Sequence, residues 1–186
     1  MPVLAAGTIN RKVRLRIGFL FGIAFLAFAR PTAGGLLLGI PVALAGLLVR
    51  AWAAGHIVKG ERLTTSGPYA HTRNPLYFGS FLIAAGFALT AHWSLLLVVI
   101  ALFVFIYGPT IDLERAELRN RFRDAYPRYE ASVPAFAPRL TPWTEEGRSA
   151  DDWFSFGLYL RQREWQAALA FGVAVLWLVL RVRLGF

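Results

Sequence analysis

The chain has 186 residues and a formal net charge of +9, and 56% of its residues are hydrophobic. Several apolar runs approach the roughly 20 residues that cross a hydrocarbon core of about 30 Å, which indicates a membrane protein. There is no cysteine, which excludes thiol catalysis, disulfides and thiolate metal sites. His56, His71 and His92 have no partner at metal-ligand spacing, so no metal is predicted.

The apolar runs predict an all-α polytopic membrane bundle of about five spans, forming a single integral membrane domain over residues 1–186. The first run ends in a small-residue pattern that also resembles a signal-peptide cleavage site. Arg30 and Pro31 follow it directly, which favours a span. Pro41 is expected to kink the second span. The predicted spans are 17–29, 33–54, 76–90, 93–111 and 165–180.

The basic residues predict the orientation of the bundle. They cluster before the first span, between the second and third, and between the fourth and fifth, whereas the other side receives Arg30, Arg181 and Arg183. The positive-inside rule then places the N-terminus and both large polar loops in the cytoplasm. Membrane topology therefore explains the net charge better than a nucleic-acid partner, and none is predicted.

Residues 67–79 combine a turn, a basic residue and a helix start. Gly67-Pro68 breaks an incoming helix, and Asn74-Pro75 is typical of an N-cap followed by the first helical residue. Free backbone N–H groups and the positive end of the helix dipole favour a carboxylate or phosphate ligand there, with Arg73 beside it. The alternative is an ordinary interfacial loop before a membrane span.

Residues 112–129 have helical periodicity with two distinct faces. Glu114 is expected to point inward and to have a cationic partner or a cationic ligand. A structural ion pair with Arg73 or Arg121 is the alternative. The arginine face is expected to be a solvated or headgroup-facing surface. The inward face carries Glu114, Leu118, Arg121, Phe122, Ala125 and Tyr129, and the arginine face carries Arg115, Arg119 and Arg123.

Prolines dominate the next segment. Pro127 is expected to end or kink the helix, and Pro134 and Pro138 force extended backbone around Phe136. We expect this segment to pack as a strap over the cytoplasmic mouth of the bundle, as a water-excluding lid. Residues 144–152 are predicted as a polar linker, and 153–159 as an interfacial segment before the last span.

Two ordered motifs carry a family resemblance over roughly residues 63–138. The chain resembles the isoprenylcysteine carboxyl methyltransferase family and its phospholipid methyltransferase relatives. The resemblance implies an integral membrane methyltransferase that binds S-adenosylmethionine at the cytoplasmic face, yields S-adenosylhomocysteine and takes a lipid or small hydrophobic acceptor. The motif residues are Gly67-Pro68-Tyr69, Arg73-Asn74-Pro75, Tyr77 and Gly79, then Glu114, Leu118, Phe122, Tyr126, Tyr129 and Val133-Pro134.

The resemblance also implies the site. The carboxylate of the cofactor suits Arg73 and the helix start, while its ammonium and sulfonium suit Glu114 and aromatic faces. Arg73 and Glu114 are the implied catalytic residues. The implied cofactor-binding residues are Gly67, Pro68, Tyr69, His71, Arg73, Asn74, Pro75, Tyr77 and Glu114.

Two departures from the family pattern bear on the acceptor. Asn74 stands where the carboxyl methyltransferases usually have histidine, which favours the phospholipid relatives. Arg115 replaces the second of the paired glutamates, leaving either Glu117 to compensate or a different acceptor. A non-catalytic lipid-binding or scaffold protein with the same fold is the alternative function, with Arg115 as its main support.

Overall fold

The computed structural model describes residues 11–58, 62–144 and 153–185, with side chains from 16 onward except that of residue 17. Most of the predicted linker, residues 145–152, and the basic residue Lys59 therefore lie outside the described residues. Within the described ranges the chain forms helices and turns without a strand. The helices are α1 (Arg11–Phe28), α2 (Ala33–Ala54), α3 (Pro75–Ala91), α4 (Ser94–Arg121), α5 (Ala125–Ser132), α6 (Phe156–Arg161) and α7 (Trp165–Leu184).

Each of the five predicted spans is a helix, so the all-α membrane bundle is confirmed. Helices α2, α4 and α7 are long and apolar enough to cross a membrane, whereas α3 and the apolar part of α1, Gly18–Phe28, are shorter. Large apolar side chains on these helices point outward: Phe28 is 83% exposed and Leu37 is 78% exposed. Such surfaces are expected to face lipid rather than water.

Helices α2 and α3 pack closely because glycines line their interface. A Cβ atom at Gly39 would lie 2.3 Å from the carbonyl oxygen of Gly86, and one at Gly46 would lie 2.5 Å from that of Gly79. Only glycine permits backbones to approach so closely, as in the small-residue interfaces of membrane helices. This pairing holds Gly79, the last residue of the first motif, against Gly46 of α2.

Helix α4 is longer than the predicted fourth span, because it continues without a break through the polar segment to Arg121. The chain then turns at residues 122–124, and α5 begins at Ala125. The expectation that Pro127 ends or kinks the helix is wrong: it lies in the first turn of α5. A proline is tolerated there because N–H groups of the first turn have no partner within the helix.

Helix α7 packs beside α1 and α2. Near its C-terminal end, Trp177 Nε1 donates a 2.9 Å hydrogen bond to the carbonyl oxygen of Leu26, and Arg181 Nη1 donates one of 2.9 Å to that of Ala27. The C-terminal ends of α1 and α7 therefore lie together. At its opposite end α7 begins beside Arg50 of α2, because Glu164, the residue before its first turn, binds that side chain.

Candidate functional site

The first motif forms a buried turn that leads into α3. Gly67 has a φ of +57°, a left-handed conformation that favours glycine, and the 3₁₀ turn Gly67–Ala70 buries Tyr69. Asn74 precedes α3 and Pro75 opens it, as predicted. The Asn74 side chain does not cap the helix, however, because its Nδ2 donates a 2.9 Å hydrogen bond to the carbonyl oxygen of Ala135.

The predicted strap is confirmed as a segment that lies against the first motif. Residues 134–143 run beside 70–74 and form backbone hydrogen bonds with them. Because the prolines prevent this segment from forming a helix, these bonds satisfy backbone polar groups that a helix would otherwise pair. The strap thereby holds the loop that carries Arg73. The bonds run from Arg73 N to Pro134 O at 2.9 Å, from Arg139 N to His71 O at 2.9 Å, and from Trp143 N to Ala70 O at 3.0 Å.

Phe136 anchors the strap between α3 and α4. Its ring centroid lies 5.5 Å from that of Phe78, 5.7 Å from that of Phe81 and 5.4 Å from that of Phe103. Edge-to-face and tilted aromatic contacts at these distances are favourable beyond the burial of apolar area. The ring therefore closes the space between the two helices at the end where both motifs lie, whereas its role as a lid stays a prediction.

A hydrogen bond joins the two motifs. The Tyr77 hydroxyl, one turn into α3, donates to Glu114 Oε1 at 2.6 Å, and the Tyr77 ring packs against Tyr107 of α4 with centroids 5.3 Å apart. Leu118 and Phe122, on the same face as Glu114, pack inward as expected. The inward position expected for Glu114 is only partly observed: its carboxylate contacts Tyr77 of α3, but the residue is exposed.

Arg73 forms its ion pair with Glu130 of α5 and not with Glu114. Its Nη1 lies 2.8 Å from Glu130 Oε1 and 3.2 Å from the Tyr126 hydroxyl. Arg119 Nε lies 2.6 Å from Glu130 Oε2, and Arg115 also binds this carboxylate. Both arginines stay exposed, as expected for a solvated or headgroup-facing surface, although each also binds Glu130. The reversal at 122–124 folds α5 back beside α4 and brings Glu130 to them.

Glu130 is the site residue that the sequence analysis missed. Burial raises the pKa of its carboxyl group, but hydrogen bonds from Arg119, Arg73 and Arg115 outweigh burial and lower the pKa below its ordinary value. One carboxylate among three guanidinium groups leaves an excess of positive charge around Arg73. The only sequence signal was its position one turn after Tyr126, which becomes informative once the chain reversal is known.

Two buried side-chain atoms of the first motif have no hydrogen-bond partner within the described part of the chain, Tyr69 Oη and Arg73 Nε. Tyr69 is 6% exposed, and its backbone carbonyl accepts a 2.7 Å hydrogen bond from the Tyr129 hydroxyl. Burial raises the pKa of Tyr69, so its hydroxyl keeps its proton and can donate. Buried donors are normally satisfied, and a ligand with oxygen acceptors would satisfy both atoms.

His71 faces the strap. Its Nδ1 lies 2.8 Å from the carbonyl oxygen of Arg139, and its ring lies 6.0 Å from that of Trp52. The ring of His56 packs against Gly67: a Cβ atom at position 67 would lie 2.5 Å from the His56 ring. These contacts give His71 and Gly67 a structural role in holding the loop, and the cofactor contacts of the first motif stay predictions.

Comparisons with known proteins agree with the predicted resemblance. Residues 38–125 match the phospholipid methyltransferase family. This range contains Tyr69, Arg73, Tyr77 and Glu114, whereas Glu130 lies beyond it. No solved structure is significantly similar to the chain.

Three relatives are similar to the chain over more than half of its length. The protein-S-isoprenylcysteine O-methyltransferase of Schizosaccharomyces pombe is 32% identical over 129 residues, 66% of this chain and 54% of the relative. The nickel-cobalt-cadmium resistance protein NccN of Alcaligenes xylosoxydans xylosoxydans is 33% identical over 113 residues, 59% of this chain and 51% of the relative. The cobalt-zinc-cadmium resistance protein CzcN of Cupriavidus metallidurans is 34% identical over 113 residues, 59% of this chain and 50% of the relative. The chain thus spans about half the length of each relative.

Proposed function

We propose that this chain, whose residues 38–125 match phospholipid methyltransferases, transfers a methyl group from S-adenosylmethionine to a lipid or small hydrophobic acceptor. The reaction would take place at the cytoplasmic face of a membrane, in a bacterium the inner membrane, with the N-terminus in the cytoplasm. The observation that carries the proposal is the junction of the two motifs: Tyr77 binds Glu114 beside a loop that holds two unpartnered buried donors.

The side chains present fit the chemical groups of the donor. Its carboxylate matches Arg73, which has an unpartnered Nε and lies in a region of excess positive charge. The Tyr69 hydroxyl can donate to a further oxygen or nitrogen acceptor. A sulfonium and an ammonium match the exposed carboxylate of Glu114 and the aromatic face of Tyr77. When bound, S-adenosylmethionine supplies a methyl group activated by the positive sulfur.

The protein has to align the reactants and exclude water, because methyl transfer is an in-line displacement. The strap with Phe136 between α3 and α4 suits this purpose. Outward apolar surfaces of the bundle give a lipophilic acceptor a path through the bilayer. An acceptor that arrives protonated, as an amine does, needs a base, and Glu114 is the carboxylate at the junction that would take the proton.

Labelled methyl groups test this proposal. Cells that express the full chain are fed methionine with a labelled methyl group, and their lipid extracts are compared with those of cells that express Glu114→Gln. We expect a labelled lipid-soluble product only with the unchanged chain. Asp112→Asn is the matched control, since Asp112 is an exposed carboxylate two residues earlier on α4, and it should label like the unchanged chain.

Two outcomes would count against an enzyme. The same labelled products with Glu114→Gln would remove Glu114 from the chemistry. A folded chain that produces no labelled product in any lipid or small-molecule extract would favour a non-catalytic lipid-binding or scaffold protein. Arg115, the main support for that alternative, binds Glu130 together with Arg73 and so belongs to the surroundings of the site.

A further inference from the structure

A second charged pair lies where α2, α3 and α7 meet. Arg50 Nε donates to Glu164 Oε2 at 3.0 Å, and Arg50 Nη2 donates to Glu164 Oε1 at 2.7 Å. Arg50 Nη1 donates to the hydroxyl of Ser80, one turn after Tyr77 on α3. The side chains are only 23% and 13% exposed, so this bidentate pair is shielded from water.

The first motif makes room for this pair. A Cβ atom at Gly79, the last residue of the motif, would lie 2.7 Å from Arg50 Cγ. Any larger residue there would displace the Arg50 side chain from Ser80 and Glu164. Glu164 precedes the first turn of α7, where the positive end of the helix dipole favours a carboxylate. Both partners are therefore held by backbone features as well as by each other.

The pair also acts electrostatically on the buried hydroxyl of Tyr69. Burial is the main reason that the pKa of Tyr69 is raised; the charges of Tyr129, Glu114 and Glu164 add to it, and that of Arg50 opposes it. Glu114 from the second motif and Glu164 from the last span thus act on the same unpartnered group. The contacts of Arg50 with Ser80 and Gly79 tie the pair to the helix that carries Tyr77.

We propose that Arg50 and Glu164 are positioning residues of the donor site, and that this pair sets the preference of the site for a cationic over a neutral ligand. The inference rests on the proposed function. If the inference holds, the start of α7, which lies outside the matched range 38–125, contributes to the donor site. Glu164 neutralises Arg50, which alone would repel a sulfonium. Removing either partner changes the net charge by one unit, in opposite directions.

The two forms of the donor isolate this effect. S-adenosylmethionine carries a positive sulfur, and S-adenosylhomocysteine carries a neutral one. The ratio of their dissociation constants therefore measures the charge of the site, while a change in shape alters both constants together. In a partly shielded protein environment one unit charge near the sulfur is expected to change this ratio roughly tenfold.

The experiment measures both constants by calorimetry on the full chain in detergent. Glu164→Gln should lower the preference for S-adenosylmethionine roughly tenfold, and Arg50→Gln should raise it by a similar factor. The double variant, which restores the net charge, should return to the ratio of the unchanged chain. Arg123→Gln is the charge control, since Arg123 is exposed and its Nε donates to the Asn120 carbonyl of the same helix end, and its ratio should not change.

Glu164→Asp keeps the charge and serves as a second variant in case a neutral variant does not fold. Its ratio should equal that of the unchanged chain, and a tenfold shift in that ratio would contradict the inference. Equal losses for both ligands in every folded variant would overturn it, because the pair would then be purely structural. An unchanged chain that binds neither ligand would instead refute the proposed function, so the two failures are distinguishable.

Discussion

The hydroxyl of Tyr77 donates a 2.6 Å hydrogen bond to Oε1 of Glu114, although 37 residues separate them in the chain. This contact fixes the first turns of α3 against the C-terminal part of α4. It brings a carboxylate to the loop that holds Arg73 and Tyr69, whose unpartnered donor atoms require oxygen acceptors. In the proposed function the two motifs form one site with positive and negative sides, which suits a ligand that carries both charges.

Tyr69→Phe should separate binding from stability. The Tyr69 hydroxyl is buried without a partner, so its removal should leave the free energy of unfolding unchanged or raise it by up to about 1 kcal/mol. Affinity for S-adenosylhomocysteine should fall roughly tenfold, because a hydrogen bond to the ligand is lost. Thermal unfolding in detergent and calorimetry measure the two quantities.

Tyr129→Phe is the matched control for Tyr69→Phe. The Tyr129 hydroxyl donates a 2.7 Å hydrogen bond to the Tyr69 carbonyl, so its removal should lower the free energy of unfolding by about 1–2 kcal/mol. A Tyr69→Phe variant that unfolds as easily as Tyr129→Phe would show that the Tyr69 hydroxyl has a structural partner.

Glu130→Gln should destabilise the region where α5 meets α4 and the loop that carries Arg73. Arg73 is 12% exposed in its side chain and would lose its carboxylate partner, at a cost of about 2–3 kcal/mol. Arg119→Ala should cost less than about 1 kcal/mol, because that side chain is 54% exposed and its pairing is weakened by solvent. Chemical unfolding followed by tryptophan fluorescence compares the two, and equal losses would contradict the central role of Arg73.

The same carboxylate predicts a dependence on pH. Hydrogen bonds from three arginines, opposed by burial, lower the pKa of Glu130 in the folded protein. A lowered pKa contributes stability that is fully present above the unfolded value of about 4.3 and is lost as the pH falls through the folded value. Between about pH 5 and pH 3 the melting temperature should fall more in the unchanged chain than in Glu130→Gln. Parallel pH profiles would disprove this contribution.

Phe136→Ala should release the strap. The substitution removes a ring packed against Phe78, Phe81 and Phe103 and should cost about 2–3 kcal/mol. Hydrogen exchange should accelerate at the Arg73 and Arg139 amides, which bond across the strap. Leu140→Ala is the control, since Leu140 is 97% exposed and should change nothing. Unaltered exchange in Phe136→Ala would mean that the backbone bonds alone hold the strap.

Local sequence signals predicted the helices well and the side-chain pairings poorly. Apolar runs and the Asn74-Pro75 pair report on neighbouring residues, so the positions of the spans and the start of α3 followed from them. The turn at 122–124 is not visible in helical periodicity, and Glu130 was missed for that reason. Asn74 fits an N-cap equally well whether its side chain bonds to the helix or, as here, to the strap.

The pairing of Arg50 with Glu164 joins residues 114 apart, and nothing in the order of the chain specifies it. It depends on how α7 packs beside α2, which is a tertiary property. Glu114 shows the same limit on a smaller scale: periodicity placed it on the correct face of α4, but burial depends on which neighbours cover that face.

Calorimetric titration of the purified full chain with S-adenosylhomocysteine tests the account most directly, with Arg73→Ala and Glu114→Gln measured beside it. The account predicts saturable one-to-one binding by the unchanged chain and at least about tenfold weaker binding by each variant. Folded protein without detectable binding up to about 1 mM ligand, or variants that bind as tightly as the unchanged chain, would contradict it.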